Sequence, residues 1–248
     1  MDLGIAGRRA AVAAASSGLG LGAAQALAAE GAKVALCGRD RAGIEAAAKT
    51  VGGDAVPLVA DIATAEGARG FVAAAREALG GIDILVCNAG GPPPGNFAST
   101  SLDAYESALS LNLISTVEMC RAAVPAMQEQ GWGRVVAITS LGVRQPFGGL
   151  IASGTARAGA TAFLKVLARE VAGDGVTVNS LQPGLHDTKR VQQVAGGNLE
   201  ALTGQVPAGF IGSADDFGSV AAFLCSEQAR FLTGCSIQVD GGAYTGLL

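Results

Sequence analysis

A glycine-containing turn near the N-terminus is the first segment whose residue types could bind a ligand. Residues 13–20, with the sequence AAASSGLG, lie between a short apolar stretch and an alanine-rich segment, Ala23 to Glu30, that is typical of a helix. Glycine lets the backbone approach a phosphate closely, and the free N–H groups at a helix N-terminus attract an anion. The pattern therefore predicts a phosphate-binding turn, although many strand-to-helix turns need glycine for steric reasons alone.

Other polar and glycine residues follow later apolar stretches. Asn88-Ala89-Gly90, Ser140 and Pro183-Gly184 each end a predicted strand, and Asn112 lies in a long helical segment. Ligands in parallel sheets bind beyond the carboxyl ends of the strands, so we expect these residues to share one site with the glycine turn.

The elements that must position these residues are short apolar stretches alternating with longer alanine-rich ones. The predicted strands are Arg9–Ala14, Lys33–Cys37, Ala55–Val59, Ile82–Cys87, Arg134–Thr139, Val176–Leu181 and Ser236–Val239. The predicted helices are Leu19–Glu30, Arg41–Val51, Thr64–Leu79, Leu102–Gln130, Leu150–Ala172 and Ala214–Ser226. Continuously apolar strands are typical of a parallel sheet buried on both faces. The alternation predicts an α/β fold, a Rossmann-like doubly wound parallel sheet of seven strands in a three-layer sandwich, formed by one domain over residues 1–248.

One long segment departs from this alternation. Residues 184–212 are rich in glycine, glutamine and polar residues and follow a strand end, where ligands bind. Long irregular segments in compact domains usually have a function, so we expect a substrate lid, with a surface loop that has no role as the alternative.

Composition limits the class of protein. Half of the 248 residues are hydrophobic, and the net charge of −4 leaves no basic face for nucleic acid. Five scattered cysteines and a single histidine make a zinc site improbable and favour a reducing compartment. No apolar stretch reaches the length of a membrane span, and Met1–Gly4 does not begin like a signal peptide. We therefore expect a cytoplasmic protein that binds neither metal, nucleic acid nor membrane.

Together these motifs resemble the short-chain dehydrogenase/reductase family, and in general terms its 3-oxoacyl carrier-protein reductases, over nearly the whole chain. The family's turn reads Thr-Gly-x-x-x-Gly-x-Gly; this chain keeps Gly18 and Gly20 but has Ala13 and Ala14 at the first two positions. Ala14 adds a methyl group where backbone and cofactor come close. By this resemblance the turn residues that contact the cofactor are Ala14, Ser16, Ser17, Gly18, Leu19 and Gly20.

The residues after the second strand bear on the cofactor. An acidic residue there binds ribose hydroxyls, whereas a guanidinium binds a 2′-phosphate. At the position of that acidic residue this chain has Gly38. The next residue is Arg39, where NADP-dependent relatives often carry arginine. This favours NADP(H) and leaves NAD(H) open, because Arg39 could instead pair with Asp40.

Three further segments match the family's cofactor contacts. Asp61-Ile62 resembles the segment at the adenine, Asn88-Ala89-Gly90 the segment at the ribose, and Pro183-Gly184 with Thr188 the segment that holds the nicotinamide carboxamide.

The catalytic residues depart from the family pattern. The family has tyrosine thirteen residues after the serine and lysine four residues further on, but here these positions are Ser153 and Arg157. Ser140 and Asn112 match the carbonyl-orienting serine and the asparagine of the water relay. A serine hydroxyl is shorter and far less acidic than a phenol. Arg157 can hold ribose hydroxyls or polarise an oxygen, but it is a poor proton source.

Three functions fit these residues. The first is a reductase or dehydrogenase whose proton comes from Ser140, an ordered water or His186. The alternative for His186 is a solvent-facing loop residue without a catalytic role. The second is a lyase, isomerase or cyclase in which Arg157 stabilises an anion, and the third is a non-catalytic dinucleotide-binding protein. We favour the first, because a pure scaffold would not need Ser140, Asn112 and the nicotinamide segment. Pro92-Pro93-Pro94 and the Arg157 exchange also resemble a divergent branch of these reductases, which favours a functional subgroup but does not define a reaction.

The expected substrate is a small to medium carbonyl compound or the corresponding alcohol. The predicted pocket rim, residues 91–97 and 141–150 with Val191 and Phe210, is mostly apolar, with Arg144 and Arg190 as candidate anion contacts. The small residues after Ser153 allow close helix packing, as in the family's four-helix interfaces. We therefore expect a homotetramer, with a dimer or packing within one subunit as alternatives.

Overall fold

The apolar stretches form one parallel sheet with the strand order β3-β2-β1-β4-β5-β6-β7. The computed structural model describes residues 1–194 and 202–247. The strands are β1 (Arg9–Val12), β2 (Lys33–Gly38), β3 (Val56–Val59), β4 (Ile84–Cys87), β5 (Gly133–Ile138), β6 (Val176–Pro183) and β7 (Ser236–Val239). Strand order reverses between β1 and β4, so a crevice opens at their carboxyl ends. The predicted doubly wound parallel sheet of seven strands is confirmed.

Helices cover both faces of this sheet. They are α1 (Gly18–Ala29), α2 (Arg41–Val51), α3 (Ala65–Leu79), α4 (Leu102–Leu109), α5 (Ser115–Glu129), α6 (Ile151–Val171), α7 (Lys189–Val194) and α8 (Ala214–Leu224). Apolar residues of α1, α2 and α8 form one core, and those of α3, α5 and α6 form a second core on the opposite face. This is the predicted three-layer sandwich.

Helices α1 and α8 pack with their backbones in contact. A Cβ atom at Gly22 would lie 2.1 Å from the carbonyl oxygen of Ala214, and one at Gly218 would lie 2.3 Å from that of Gly22. Only glycine permits this approach, which holds α1, and with it the glycine turn, rigidly against the sheet.

The long helix predicted over Leu102–Gln130 is divided in two. A π-helical turn, Ser110–Ile114, separates α4 from α5 and carries the buried side chain of Asn112. A π turn admits one extra residue into the helix and often occurs at functional sites. Periodicity in the sequence does not show such an insertion, because the apolar face of the helix continues on either side of it.

The predicted lid, residues 184–212, has a closed base. The backbone N–H of Asp187 donates to Gly212 at 2.8 Å, and that of Gly212 donates to Leu185 at 3.1 Å. Helix α7 lies within the segment, while residues 195–201 fall outside the described residues. The two ends of the segment are therefore fixed together, whatever its function.

Four of the five cysteines are buried, as small apolar residues would be. No group of three potential metal-ligating side chains occurs in the described ranges. Within the same residues, none of the helices combines the length and the apolar character needed to cross a bilayer.

Candidate functional site

The glycine turn lies at the crevice between β1 and β4. The strand predicted to reach Ala14 ends at Val12, because Ala14 adopts a φ of +47°, the one positive φ of a non-glycine residue in the described chain. The N–H of Ala15 donates to Cys37 at the end of β2. The turn therefore bends out of the sheet at the position where the family has its first glycine.

Asn88 connects the end of β4 to this turn. Its Nδ2 donates to the carbonyl of Ala14 at 3.1 Å. A Cβ atom at Gly20 would lie 2.6 Å from that Nδ2 and 2.8 Å from the Ala14 oxygen. Gly20 is thus required by the close approach of Asn88, while Asn88 itself is half-buried at the crevice.

The N-terminus of α1 is open toward this crevice. Ser17 is the N-cap residue in an extended conformation, and within the described chain its side chain makes no capping hydrogen bond. The N–H groups of the first turn, from Gly18 and Leu19 onward, are left for another acceptor. Ser16 and Ser17 are exposed beside them. Such a turn can bind the phosphates of a dinucleotide.

The segment after β6 folds over the same turn. A Cβ atom at Gly18 would lie 3.4 Å from Cγ2 of Thr188, so the predicted carboxamide-binding residue sits beside the predicted phosphate-binding one. Gly184 follows Pro183 where β6 ends, and a Cβ atom there would lie 2.7 Å from the Cα of Asp240. The structure therefore brings the two segments that are predicted to bind the cofactor together.

Arg39 is exposed at the end of β2. Its predicted alternative partner, Asp40, instead caps α2 by accepting from the N–H of Gly43 at 2.6 Å. No carboxylate lies within ion-pair distance of Arg39 among the described residues. A Cβ atom at Gly38 would lie 3.2 Å from that of Ser16, so an acidic side chain there would crowd the turn. This end of β2 suits a guanidinium contact with a phosphate.

The predicted adenine segment is split between surface and core. Asp61 is exposed, and its carboxylate accepts from the N–H of Ala63 at 3.0 Å. The side chain of Ile62 is buried in the core beneath α3. Only the main chain of Ile62 is left to contact a cofactor.

Arg157 and Asn112 converge on the residues after β4. The buried guanidinium donates through Nη1 to Ile138 at 2.8 Å and Thr139 at 3.0 Å, and through Nη2 to Ala89 at 3.2 Å and Gly90 at 3.5 Å.

Asn112 Nδ2 also donates to Gly90, at 3.0 Å. Arg157 thus ties the carboxyl ends of β4 and β5 together. Its predicted contact with ribose or with a substrate oxygen stays a prediction.

Ser140 and Ser153 lie on neighbouring segments. Ser140 follows β5, and its Oγ accepts from the N–H of Gly142 at 3.0 Å. Ser153 is half-buried in the first turn of α6. A Cβ atom at Gly154 would lie 4.0 Å from the oxygen of Gly142, so this turn of α6 rests against the turn after Ser140.

The surroundings of His186 correct one of its two predicted roles. The side chain is only 3% exposed, so the solvent-facing alternative is wrong. Its ring meets Phe217 edge-to-face, with 5.2 Å between centroids, and Nδ1 lies 3.3 Å from the carbonyl of Gly184. Burial lowers the pKa of the imidazole, against a smaller opposing effect of the Gly184 carbonyl. A neutral, enclosed ring is poorly suited to donate a proton to substrate.

The structure also brings both tyrosines close to elements of the site. Tyr105 packs against Ala152 and Ala156 on α6. The guanidinium of Arg144, four residues after Ser140, lies 5.9 Å from the ring centroid of Tyr244. Sequence reasoning missed both contacts, as well as the Asn88 bond to Ala14, because no local pattern signals them.

The rim segments are joined by hydrogen bonds. The N–H of Gly95 donates to Gly149 at 2.8 Å, and that of Ile151 donates to Gly95 at 3.3 Å. Three exposed aromatic side chains belong to the predicted rim: Phe97, Phe147 and Phe210. The side chain of Arg190, a predicted anion contact, lies outside the described residues.

Comparisons with known proteins agree with this arrangement. A family model described as enoyl-(acyl carrier protein) reductase matches residues 13–244. The 3-oxoacyl-[acyl-carrier-protein] reductase FabG of Escherichia coli is 32% identical over 238 residues, which cover 96% of this chain and 98% of that protein.

Two solved structures are similar over almost their full length. L-sorbose reductase of Gluconobacter frateurii, complexed with NADPH and L-sorbose, has a TM-score of 0.92 at 30% identity and covers 100% of both chains. A 3-oxoacyl (acyl-carrier-protein) reductase of Agrobacterium tumefaciens with NADP bound has a TM-score of 0.91 at 32% identity, covering 97% of this chain and 96% of the other. By its sequence, strand order and crevice residues, this chain belongs to the short-chain dehydrogenase/reductase family.

Proposed function

We propose that this protein is an NADP(H)-dependent oxidoreductase that reduces the carbonyl group of a small to medium apolar substrate, or oxidises the corresponding alcohol. The observation that carries the proposal is the phosphate cradle at the crevice, formed by the glycine turn, residues 13–20, and the N-terminus of α1. The N-terminus of α1 has no side-chain cap within the described chain, and Gly20 has no room for a Cβ atom beneath Asn88.

NADP(H) is favoured over NAD(H) by the end of β2. Arg39 is exposed and makes no ion pair among the described residues, so its guanidinium is available to a 2′-phosphate. The two related reductases above, crystallised with NADPH or NADP, support the same choice. The cofactor, when bound, supplies or accepts the hydride.

Ser140 orients the substrate oxygen. Because its Oγ accepts from Gly142, its own proton is directed to another acceptor, such as a carbonyl oxygen. The hydroxyl is a weak acid, so the transferred proton comes from water. Asn112 Oδ1, buried and without a hydrogen-bond partner among the described residues, is an acceptor that can hold such a water. General acid catalysis contributes about 10²–10⁴-fold, so we expect slow turnover.

The substrate class follows from the rim. Phe97, Phe147 and Phe210 present apolar surface beside the crevice, and Phe97 is 86% exposed. Arg144 lies over Tyr244 rather than isolated in the pocket mouth. An apolar carbonyl compound fits this rim better than a highly charged one.

The non-redox alternative gains nothing from Arg157. In that alternative the guanidinium stabilises a substrate anion, but here it already donates to carbonyls of Ala89, Ile138 and Thr139.

A homotetramer and a cytoplasmic location remain proposals. Ala156 and Ala160, two of the small residues that favour helix pairing, are buried within the subunit. Light scattering of the purified protein tests the assembly.

A titration of NADPH fluorescence tests the cofactor assignment. We expect saturable binding, weaker by about tenfold or more in Arg39→Ser, because one charge-assisted hydrogen bond contributes about 1.5–3 kcal/mol. Arg41→Ser, whose side chain pairs with Glu45, is the matched control and should not change NADPH affinity. Absence of NADPH binding would refute the proposal and favour non-redox chemistry.

A panel of aldehydes and ketones tests the reaction. Ser140→Ala should reduce kcat by about 10²-fold, the usual effect of losing one donor to a reacting oxygen. Ser219→Ala, an exposed serine on α8 that donates to Asp215, should leave kcat unchanged. NADPH binding without any turnover would support the non-catalytic alternative.

A further inference from the structure

A cavity lies on the edge of the sheet opposite to the candidate active site. It has a volume of about 630 Å³ and lies where β5 and β6 begin, lined among others by Trp132, Arg134, Thr177, Glu227, Arg230 and Phe231. Ligand sites usually measure about 300–1,000 Å³. The cofactor segments all follow the carboxyl ends of the strands, so this cavity belongs to a different surface.

A buried guanidinium contributes to the cavity. Arg134 is only 2% exposed, and its Nε and Nη1 donate to the carbonyls of Ser226 and Gly133 at 3.3 and 2.9 Å. Its Nη2 lies 3.7 Å from the carboxylate of Glu227, beyond hydrogen-bond distance, and has no closer acceptor among the described residues. No hydrogen bond from this nitrogen occurs among the described residues, so it can donate to an acceptor placed in the cavity.

Thr177 adds a buried hydroxyl without a hydrogen-bond partner among the described residues. It is the register partner of Arg134 across β5 and β6, so the two side chains lie next to each other on one face of the sheet. The Oγ1 of Thr177 is buried and makes no hydrogen bond within the part of the chain that the structure describes. Arg134 through Nη2 and Thr177 through Oγ1 thus have hydrogen-bonding capacity that the described residues do not use.

The charge of the cavity is positive. Arg230 is exposed and makes no ion pair among the described residues. The single carboxylate in the lining, that of Glu227, accepts from the indole of Trp132 at 2.7 Å and is shared with Arg8 at 3.6 Å. Two lining arginines therefore face one carboxylate that is already engaged.

The remaining wall is apolar. Phe231 is 99% exposed beside the cavity, and Val176 and Ala172 also line it. The faces of Trp132 are covered by the guanidinium groups of Arg8 and Arg134, 3.8 and 4.2 Å from the ring centroid. An apolar ligand body would therefore pack on Phe231 and Val176.

We propose that this cavity binds a small apolar monocarboxylate. Its carboxylate accepts hydrogen bonds from Arg134 and Arg230, and its hydrocarbon body covers Phe231. The proposal does not depend on the proposed oxidoreductase function, because the site and its measurement lie apart from the crevice.

The chain offers a direct probe, since Trp132 is its only tryptophan. Tryptophan fluorescence is followed during titration with hexanoate at millimolar concentrations, with hexanamide as the uncharged counterpart, in the presence and absence of NADPH. We expect a saturable change with hexanoate in both conditions and binding of hexanamide that is weaker by about tenfold, the loss expected for a charge-assisted hydrogen bond.

Variants of exposed residues keep the test independent of folding. Arg230→Gln should weaken hexanoate binding by about tenfold and Phe231→Ala should weaken it as well, whereas Arg41→Gln, at the other end of the sheet, should have no effect. Circular dichroism checks that each variant is folded.

Three outcomes would overturn the proposal. The first is no saturable change with hexanoate. The second is equal affinity for hexanamide and hexanoate, or full affinity in Arg230→Gln. The third is a Trp132 fluorescence that depends on protein concentration rather than on hexanoate, together with a mass of Phe231→Ala in light scattering that is smaller than that of the unchanged protein. This result would mean that a second copy of the chain covers this face.

Discussion

The side chain of Asn88 donates to the carbonyl of Ala14 at 3.1 Å and so joins the ends of β4 and β1 across the crevice. Ala14 is held there with a φ of +47°. The bond fixes the turn that precedes α1, and through it the open N-terminus of that helix. The geometry of the proposed phosphate cradle therefore depends on a residue 74 positions further along the chain.

Replacing Ala14 by glycine should stabilise the protein. A left-handed conformation costs a non-glycine residue about 1–2 kcal/mol, and the extra freedom of glycine in the unfolded chain offsets part of this gain. We expect the free energy of unfolding to rise by about 0.5–1 kcal/mol, with tighter NADPH binding because a methyl group is removed from the turn. Urea denaturation and an NADPH titration measure the two effects.

Ala13→Gly is the control for that substitution. Ala13 is fully buried, and its φ is not among the positive ones. Loss of its methyl group and the added chain freedom should destabilise the protein by about 1 kcal/mol. An equal effect of both substitutions would contradict the strain assigned to Ala14.

Gly20→Ala should impair the cradle. The new methyl group would meet Asn88 Nδ2 at 2.6 Å and the Ala14 oxygen at 2.8 Å, so the turn must move. We expect NADPH affinity to fall by about tenfold or more, as for a displaced backbone contact with phosphate. Equilibrium titration of the two proteins gives the ratio.

Gly70 provides the matched glycine. It lies within α3, and a Cβ atom there would meet nothing within 4 Å. Gly70→Ala should stabilise the protein by about 0.5–1 kcal/mol and leave NADPH affinity unchanged. A similar loss of affinity in both variants would show that the space around Gly20 is not the cause.

Arg157→Ala should destabilise the protein strongly. It removes a buried guanidinium that satisfies carbonyls after β4 and β5, and each buried group left unsatisfied costs about 1–3 kcal/mol. Arg157→Lys should restore only part of the loss, since one ammonium cannot reach both strands in the same way. Thermal and urea unfolding give the ranking.

Lys165 lies on the same helix and serves as comparison. Its exposed Nζ donates to the carbonyl of Gly234 at 2.8 Å. Lys165→Ala should cost about 0.5–1.5 kcal/mol. If Arg157→Ala cost no more than this, the role of Arg157 in tying the two strands would be disproved.

His186 should make stability depend on pH. Burial depresses its pKa in the folded protein, so below the ordinary value of about 6.5 the unfolded chain binds the proton more readily. Stability should therefore fall as the pH decreases below that value. It should level off once the pH is below the folded pKa as well.

His186→Gln isolates this effect, because His186 is the only histidine. The variant should lose the slope of unfolding free energy against pH between about pH 5 and 7, even if it is less stable overall. Urea denaturation at several pH values measures that slope. A slope that persists in the variant would assign the effect to other groups.

The sequence by itself determined the sheet and most of its helices, and it predicts the segments that are proposed to hold the cofactor. Apolar stretches such as Lys33–Cys37 are typical of strands in a parallel sheet, and their alternation with helices restricts the topology. The positions of Gly18, Asn88 and Pro183 at strand ends follow from that topology. The absence of a phenol at Ser153 is also a property of the sequence, because no shift of alignment places a tyrosine there.

Only the tertiary structure decided how these residues meet. The π turn at Asn112, the strands joined by Arg157, the buried ring of His186 and the approach of Tyr244 to Arg144 all depend on contacts between distant segments. Local periodicity reports which face of an element is apolar, but it carries no information about the partner that a polar side chain finds. That partner is decided only when the elements have packed. The packing also decides which polar residues face the crevice and which ones hold the surrounding segments in place.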